Sequence, residues 1–543
     1  MSMSEHGGRG TSRRPSRTAA ATQPITPLYK RLPKGPHGIT ATQVVHHQRI
    51  RMHGAMIEAI AARGYGGTSV KHVIGLAGVS RRAFYEQFDN KEDCFLETFD
   101  LIVGRAIKRC NAAYRDAPGK LEERMGAAFA AFVGELRSNS KALHLALVDA
   151  LSATPGARRR LRRTTGMFEG LLSQTFSERE RDGALPPPVV RAIVGGLRRV
   201  AHVRLLEEQT EDLSGLTEAM LGWTLMFDSA ATGELALRPC ATVPFPSHAE
   251  LPTPPHAEDG TREQLLRAMI NLALRERYEN VNSLRIADEA GVPIDVFLGE
   301  FADKEACYLA AMDMLGGELL HLVADPGLVS DDWPAAVCRT IEGLLGHLSE
   351  NPAALISLSS QMLQAGSHAI ENAMELALEV TTLLTEGAPA PPRSTMAIEG
   401  IAGALWHTFY CEVIAGRGHR LPELGEYLSY VTLTPFLGAE AAVAAVLRSR
   451  TTLPAAALGE VREDDADERR DHDHDDQRDL ARAEDPIDLD AFQIEHREEG
   501  DEDREQHEAA GAHELAPAAP GATGLGAGSV GRDGHPRLDA TRS

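Results

Sequence analysis

The stretch Tyr65-Gly66-Gly67-Thr68-Ser69-Val70-Lys71-His72-Val73-Ile74-Gly75-Leu76-Ala77-Gly78-Val79-Ser80-Arg81-Arg82-Ala83-Phe84-Tyr85-Glu86-Gln87-Phe88 decides the fold of this 543-residue chain. A helix from Gln48 to Ala62, with Ile50, Ala55, Met56, Ile57 and Ile60 on its apolar face, stops at the glycines that open the stretch. Ser69 caps a short second helix that buries Val70, Val73, Ile74 and Ala77. Gly78 ends it, because the left-handed turn of a tight helix reversal leaves no room for a Cβ. Ser80 caps a third helix. On it Phe84 and Phe88, four apart, point to the core and leave Arg81, Arg82, Tyr85 and Gln87 outside. This is the pattern of a helix-turn-helix, with a fourth helix starting at Lys91.

The apolar skeleton recurs 213 positions further on without a gap. Tyr65, Ala77, Gly78, Val79, Phe84, Phe88, Lys91, Glu92 and Cys94 return as Tyr278, Ala290, Gly291, Val292, Phe297, Phe301, Lys304, Glu305 and Cys307. The polar surface changes. Lys71 corresponds to Leu284, Ser80 to Pro293, Arg81 to Ile294, Arg82 to Asp295 and Tyr85 to Leu298. Proline is tolerated in the first helical turn, so the second copy is expected to fold. Residues 49–92 hold seven Lys/Arg against four Asp/Glu (+3), whereas 262–305 hold six against nine (−3), the wrong sign for a polyanion.

Gly64-Tyr65, Thr68-Ser69-Val70, Ala77-Gly78-Val79-Ser80, Phe84-Tyr85, Phe88 and Lys91-Glu92 resemble the amino-terminal DNA-binding domain of TetR/AcrR-type transcriptional regulators. The resemblance covers about 50 residues in the first copy and, more weakly, about 45 in the second. Carried over position by position, it implies that Ser69, Lys71, Ser80, Arg81, Arg82, Tyr85 and Lys91 face DNA. It also implies a helical effector domain after each copy, whose last two helices form a four-helix dimer interface. By that resemblance 188–231 and 394–447 are candidates for mutual packing, either within one chain as a pseudo-dimer or between two chains as a homodimer.

The side-chain chemistry agrees with the carry-over. Two adjacent arginines at the amino end of the third helix stand where a recognition helix meets bases, and Arg is shaped for paired hydrogen bonds to guanine O6 and N7. Ser69, Lys71, Tyr85 and Lys91 are placed for phosphates, which set register and make affinity fall with salt. The net charge of −22 does not oppose this. Residues 1–91 hold 14 Lys/Arg against four Asp/Glu, and 460–508 hold 23 Asp/Glu against seven Arg, so the acidity is concentrated in a tail.

The expected architecture is all-α, with two tandem modules and two tails. Residues 1–40 read as a disordered basic arm, 45–95 as the helix-turn-helix and 96–236 as a helical effector and dimerisation domain. Residues 237–257 form a Pro-rich linker, 258–308 a degenerate helix-turn-helix, 309–450 a second effector domain and 455–543 an acidic disordered tail. Within the first effector domain, helices are expected at 91–115, 120–138, 142–151, 157–181, 188–209 and 213–231. His144, His202 and Trp223, with Trp406, His407 and Tyr410 in the second module, are polar or aromatic groups that an effector pocket would use.

The functional expectation is a DNA-binding, ligand-responsive repressor whose partners are double-stranded DNA and a small-molecule effector. No cofactor or metal is implied. His472 and His474 lie in a solvated acidic tail, and Gly524, Gly526 and Gly528 lack the flanking strand and helix of a phosphate loop. No apolar run reaches the length of about 18 residues that would cross a membrane, which points to the cytoplasm. Six cysteines without CxxC spacing exclude a disulfide framework or zinc ribbon. The alternatives are a protein-interaction adaptor working through the degenerate module and a small-molecule-binding helical enzyme, for which no HExxH, Walker loop or nucleophile elbow is present.

Overall fold

Thr40 starts the first helix. Its hydroxyl accepts the Gln43 N–H at 3.2 Å while the Gln43 side chain accepts the Thr40 N–H at 2.8 Å, a reciprocal cap that satisfies two open donors. The computed structural model describes residues 40–179, 184–206, 213–238, 260–324 and 332–452. The arm before residue 40, most of the Pro-rich linker and the acidic tail with His472, His474 and Gly524 to Gly528 lie outside the described residues. Among the described residues every regular element is helical.

In the first half, α1 (Ala41–Gly67), α2 (Val70–Ala77), α3 (Arg81–Tyr85) and α4 (Lys91–Asp116) follow one another in the expected order. The helical path of α1 breaks at Gly64 (φ 63°, ψ 173°), close to the predicted stop. Gly78 takes the left-handed conformation (φ 63°, ψ 38°) that the reversal needs. Phe84 and Phe88 are buried with Met52, Met56, Phe95 and Phe99 between α1 and α4. Gln87 departs from expectation: it is half-buried, and its amide donates to the Ala83 carbonyl.

The chain continues through α5 (Leu121–Ser138), α6 (Ser140–His144), a π-helical turn (Leu145–Asp149), α7 (Ala150–Ala153), α8 (Pro155–Arg179) and α9 (Pro187–Leu206). The predicted helix over 213–231 is two pieces, α10 (Leu216–Leu225) and α11 (Ser229–Thr232). Asp228 separates them, because its carboxylate accepts the Ala230 N–H at 2.9 Å and caps the second piece.

The second half repeats this order: α12 (Thr261–Glu276), α13 (Ser283–Ala290), α14 (Ile294–Glu300), α15 (Lys304–Val323), α16 (Trp333–Glu350) and α17 (Pro352–Ile356). A second π-helical turn (Ser357–Gln361) leads to α18 (Met362–Ala365), α19 (Ser367–Thr385), α20 (Ala397–Ile414), α21 (Gly425–Leu437) and α22 (Ala439–Thr452). The two π-helical turns start 212 residues apart. This recurrence is backbone geometry and has no residue-by-residue identity behind it. Gly291 is left-handed (φ 70°, ψ 27°) like Gly78, and Arg277 holds the positive φ of Gly64 (φ 68°) without being glycine.

By length and composition α15 is apolar enough to cross a membrane, a property the sequence reading did not assign to any segment. Here it is a packed helix, with Cys307, Tyr308, Ala311, Met312, Leu315 and Leu319 buried and α12 and α19 against it.

The two halves meet where α9 crosses α20, the most extensive helix contact in the fold. The approach depends on absent side chains. A Cβ on Gly403 would stand 2.6 Å from the Gly195 carbonyl oxygen, and one on Gly196 would stand 2.8 Å from the Gly400 carbonyl oxygen. Trp223 of α10 fills the flank of this crossing, fully buried against Gly196 and Gly400. Beyond it, the Tyr430 hydroxyl accepts the Asp228 N–H at 3.1 Å. Buried Glu426 gathers Arg238 at 2.7 Å, Arg450 and the Ala236 N–H at 3.0 Å. The helices expected to pair thus pair within one chain.

Candidate nucleic-acid interface and effector region

The first helix-turn-helix presents a polar face built on a fixed frame. Ser80 caps α3 by accepting the Ala83 N–H at 3.0 Å, and Phe84 anchors the helix from beneath. Arg81 and Arg82 are therefore held outward at its amino end, both exposed. The Arg81 guanidinium lies 5.5 Å from the Tyr85 ring centre, and Arg82 pairs with Glu86 at 2.7 Å. That pair is almost wholly solvated, contributes little to stability and leaves the guanidinium able to exchange its carboxylate for a base edge. Ser69 and Lys71 at the start of α2 and Tyr85, 46% exposed, complete the face.

Lys91 is placed otherwise than expected. It is half-buried, and its ammonium donates to the carbonyl oxygens of Tyr65 at 2.9 Å and Thr68 at 3.0 Å while lying 3.8 Å from the Tyr65 ring centre. Burial lowers its pKa. The same three contacts recur in the second half, where Lys304 donates to Tyr278 at 3.1 Å and Val281 at 2.9 Å and lies 4.4 Å from the Tyr278 ring. Lys91 is thus a tie that closes the turn between α1 and α2, and its return as Lys304 follows from that role. A second positioning residue escaped the sequence reading. Arg51 is buried in α1 and donates to the carbonyls of Ala77 and, at 3.1 Å, Gly78, fixing the end of α2. Nothing in one arginine among the several polar residues of α1 announces this.

The corresponding face of the second half is apolar and acidic. Leu284 (56% exposed), Ile294 (37%) and Leu298 (59%) occupy the positions of Lys71, Arg81 and Tyr85, with Asp295 beside them. The frame beneath is intact, with Phe297 and Phe301 buried. Its arginines are engaged locally, Arg275 with Glu289, Arg285 with Glu276 and Arg262 with Glu300.

The candidate effector residues fall into separate environments. Trp406 lines a half-open cavity of about 60 Å³, otherwise walled almost entirely by Leu, Ala, Val and Phe from α15, α16, α17, the second π-helical turn, α19 and α20. Tyr410 stacks on Trp406 at 5.4 Å. His407 is buried in the crossing, its Nε2 3.3 Å from Glu169. Burial opposes its protonation, but the Cys411 thiol and Glu169 outweigh it and raise its pKa. Trp223 is a packing residue whose indole donates to the Ile193 carbonyl at 3.2 Å. His144 and His202 share a different space, a cleft of about 630 Å³ between α1, α6, α9 and α19.

An all-helical chain with a capped, outward-facing arginine pair on the third helix of a helix-turn-helix has the build of a DNA-binding regulator. Residues 55–98 match the family described as bacterial regulatory proteins, tetR family. The chain is 25% identical over 202 residues to the HTH-type transcriptional regulator TcmR of Streptomyces glaucescens, covering 36% of this chain and 88% of that one. Among solved structures, the fatty acid degradation regulator FadR of Bacillus halodurans aligns at 19% identity and a TM-score of 0.30, over 33% of this chain and 94% of its own. The FadR of Bacillus subtilis, solved with stearoyl-CoA, aligns at 19% identity and a TM-score of 0.30, over 32% and 97%. The family match falls on the region of the first helix-turn-helix, and the relative is itself an HTH-type regulator.

Proposed function

We propose that the chain is a ligand-responsive transcriptional repressor, acting in the cytoplasm, that reads double-stranded DNA through α3 of its first module. Arg81 and Arg82 read bases, and Ser69, Lys71, Ser80 and Tyr85 hold backbone phosphates. The second module keeps the fold of a TetR-type module but is silent toward DNA. Its role is to supply the partner helices α20 and α21 that α9 and α10 require, making one chain a pseudo-dimer with a single reading head. The observation that carries this reading is the pair of equivalent faces. One exposes Arg81, Arg82 and Tyr85, the other Ile294, Asp295 and Leu298 on the same buried frame.

The test uses the full chain, because separating the halves would expose the glycine crossing. Duplex binding should be strongly salt-dependent, and Arg81→Ile with Arg82→Asp should abolish it while leaving the helical spectrum intact. Arg81→Ala alone should cost about 1 to 3 kcal/mol on the operator and much less on random duplex. Conversely, Leu284→Lys, Pro293→Ser, Ile294→Arg, Asp295→Arg and Leu298→Tyr together should add a second salt-sensitive contact. Undiminished DNA binding by the Arg81 and Arg82 double variant would sink the assignment. An adaptor role through the second module is the other reading, favoured by the exposed Leu284, Ile294 and Leu298.

A further inference from the structure

We propose that the cleft between α1, α6, α9 and α19 is a binding site for a small amine whose apolar body carries a second hydrogen-bond donor. His202 lines it and is 2% exposed. Its Nδ1 lies 3.2 Å from the Leu147 carbonyl, an oxygen that can only accept, so Nδ1 carries the proton and Nε2 is a bare acceptor. Nε2 has no hydrogen-bond partner. A buried acceptor left open costs free energy unless something donates to it. Burial, a stronger influence than the neighbouring arginines, pushes the imidazole down to about 3 and keeps it in this neutral form.

The remaining charge in the cleft is negative. Asp149 and Glu371 both line it, and Lys141, the one lysine there, is paired with Glu58 at 2.7 Å. His144 holds one oxygen of Asp149 at 2.8 Å, fixing the carboxylate. Ile60, Val148, Leu205 and Ile370 supply apolar wall. A hydroxyl or amide donor suits His202, where Arg198 and Arg199 disfavour a cation, and an ammonium suits the carboxylates.

The second half is an internal control for this set. At the 212-residue spacing of the two π-helical turns, the counterparts of Lys141, His144 and Asp149 are Ala353, Ile356 and Gln361. Gln361 is buried and accepts the Tyr278 N–H at 3.3 Å, so the counterpart constellation is structural. In the first half the π-helical turn, a feature found often at functional sites, carries Val148 and Asp149 into the cleft. Gly64, where α1 breaks before the helix-turn-helix, forms part of the same wall. A ligand bridging α1, α9 and α19 therefore touches the helix that leads into the helix-turn-helix, the helix of the crossing and the second half together, which is the requirement for coupling to DNA. That consequence rests on the regulator reading; the binding itself does not.

Titration calorimetry on the full chain with tyramine, phenethylamine and 3-(4-hydroxyphenyl)propionate tests the site. Tyramine should bind best, phenethylamine, lacking the hydroxyl, about tenfold more weakly, and the carboxylate not at all. His202→Phe and Glu371→Gln should each weaken tyramine about tenfold. Glu371 is exposed, so its variant keeps the test valid if His202→Phe fails to fold. Leu376→Trp, in the apolar cavity of the second half, should leave tyramine binding unchanged. Failure of both amines to bind at millimolar concentration, or equal binding to the Glu371 variant, overturns the site. Duplex binding measured on the same samples separates the two readings, since a chain that takes tyramine but no DNA defeats the regulator and leaves the cleft standing.

Discussion

Gly195 of α9 faces His407 of α20 so closely that a methyl group on Gly195 would lie 2.7 Å from the His407 Cβ and 2.8 Å from the Gly403 carbonyl oxygen. Neither neighbour is the movable end of a side chain. Gly195→Ala should therefore destabilise the fold by about 1 to 3 kcal/mol through overpacking. Gly222, helical and exposed with open space around it, is the control. Gly222→Ala should stabilise by about 0.5 to 1 kcal/mol. Urea midpoints moving in opposite directions would support the crossing as described; a shared direction would contradict it.

The lysine ties give a second prediction. Removing the Lys304 ammonium leaves the Tyr278 and Val281 carbonyls without their donor, so Lys304→Met should cost about 1 to 2 kcal/mol although that half is silent toward DNA. Lys91→Met should cost a similar amount, and the salt slope of the remaining DNA binding should be unchanged. A slope falling by about one unit would return Lys91 to the phosphate contacts.

Arg277 holds a positive φ of 68° where its counterpart is Gly64 at 63°. A side chain there strains the backbone, and its ion pair to Glu279, at 3.9 Å, is exposed on both sides. Arg277→Gly should raise stability by about 1 kcal/mol despite the entropy that glycine adds to the unfolded chain. Differential scanning calorimetry showing a lower melting temperature would refute this.

Acid should weaken the DNA-binding end. His53 is buried, and its Nδ1 lies 2.8 Å from the Thr98 hydroxyl, which itself donates to the Cys94 carbonyl at 2.6 Å. Burial, then the charge of Arg49, pushes its pKa down to about 4. The neutral form belongs to the fold and the unfolded chain binds the extra proton first. This contribution is whole above the ordinary value of about 6.5 and is lost as pH falls towards 4, amounting to about 3 kcal/mol. Urea titrations between pH 7 and pH 4 should show that slope, and His53→Gln should reduce it by about one proton. An unaltered slope would place the acid sensitivity elsewhere.

Much of the candidate interface was legible because it depends on local rules. Ser80 and Gly78 mark the ends of helices by their own backbone chemistry, and Phe84 and Phe88 share a face by helical spacing alone. The contacts of Lys91 were not legible because its exposure depends on where α1 ends in space. A lysine beside two arginines looks like part of their patch until the Tyr65 and Thr68 carbonyls are found within 3.0 Å. Arg51 and the π-helical turns gave no local signal at all, and His144 and His202 stood out only as polar groups, not as walls of one cleft, since each is defined by partners 26 or more residues away or by backbone register.

By itself the sequence determined that the chain is helical, where the helix-turn-helix lies and which of two related faces carries cations, because periodicity, caps and charge belong to neighbouring residues. Only the tertiary structure decided that α9 pairs with α20 of the same chain, for that depends on Gly195, Gly196, Gly400 and Gly403 meeting across about 200 residues. A glycine in a helix costs stability in isolation. Its benefit appears only when a second helix arrives to occupy the space its side chain would have filled.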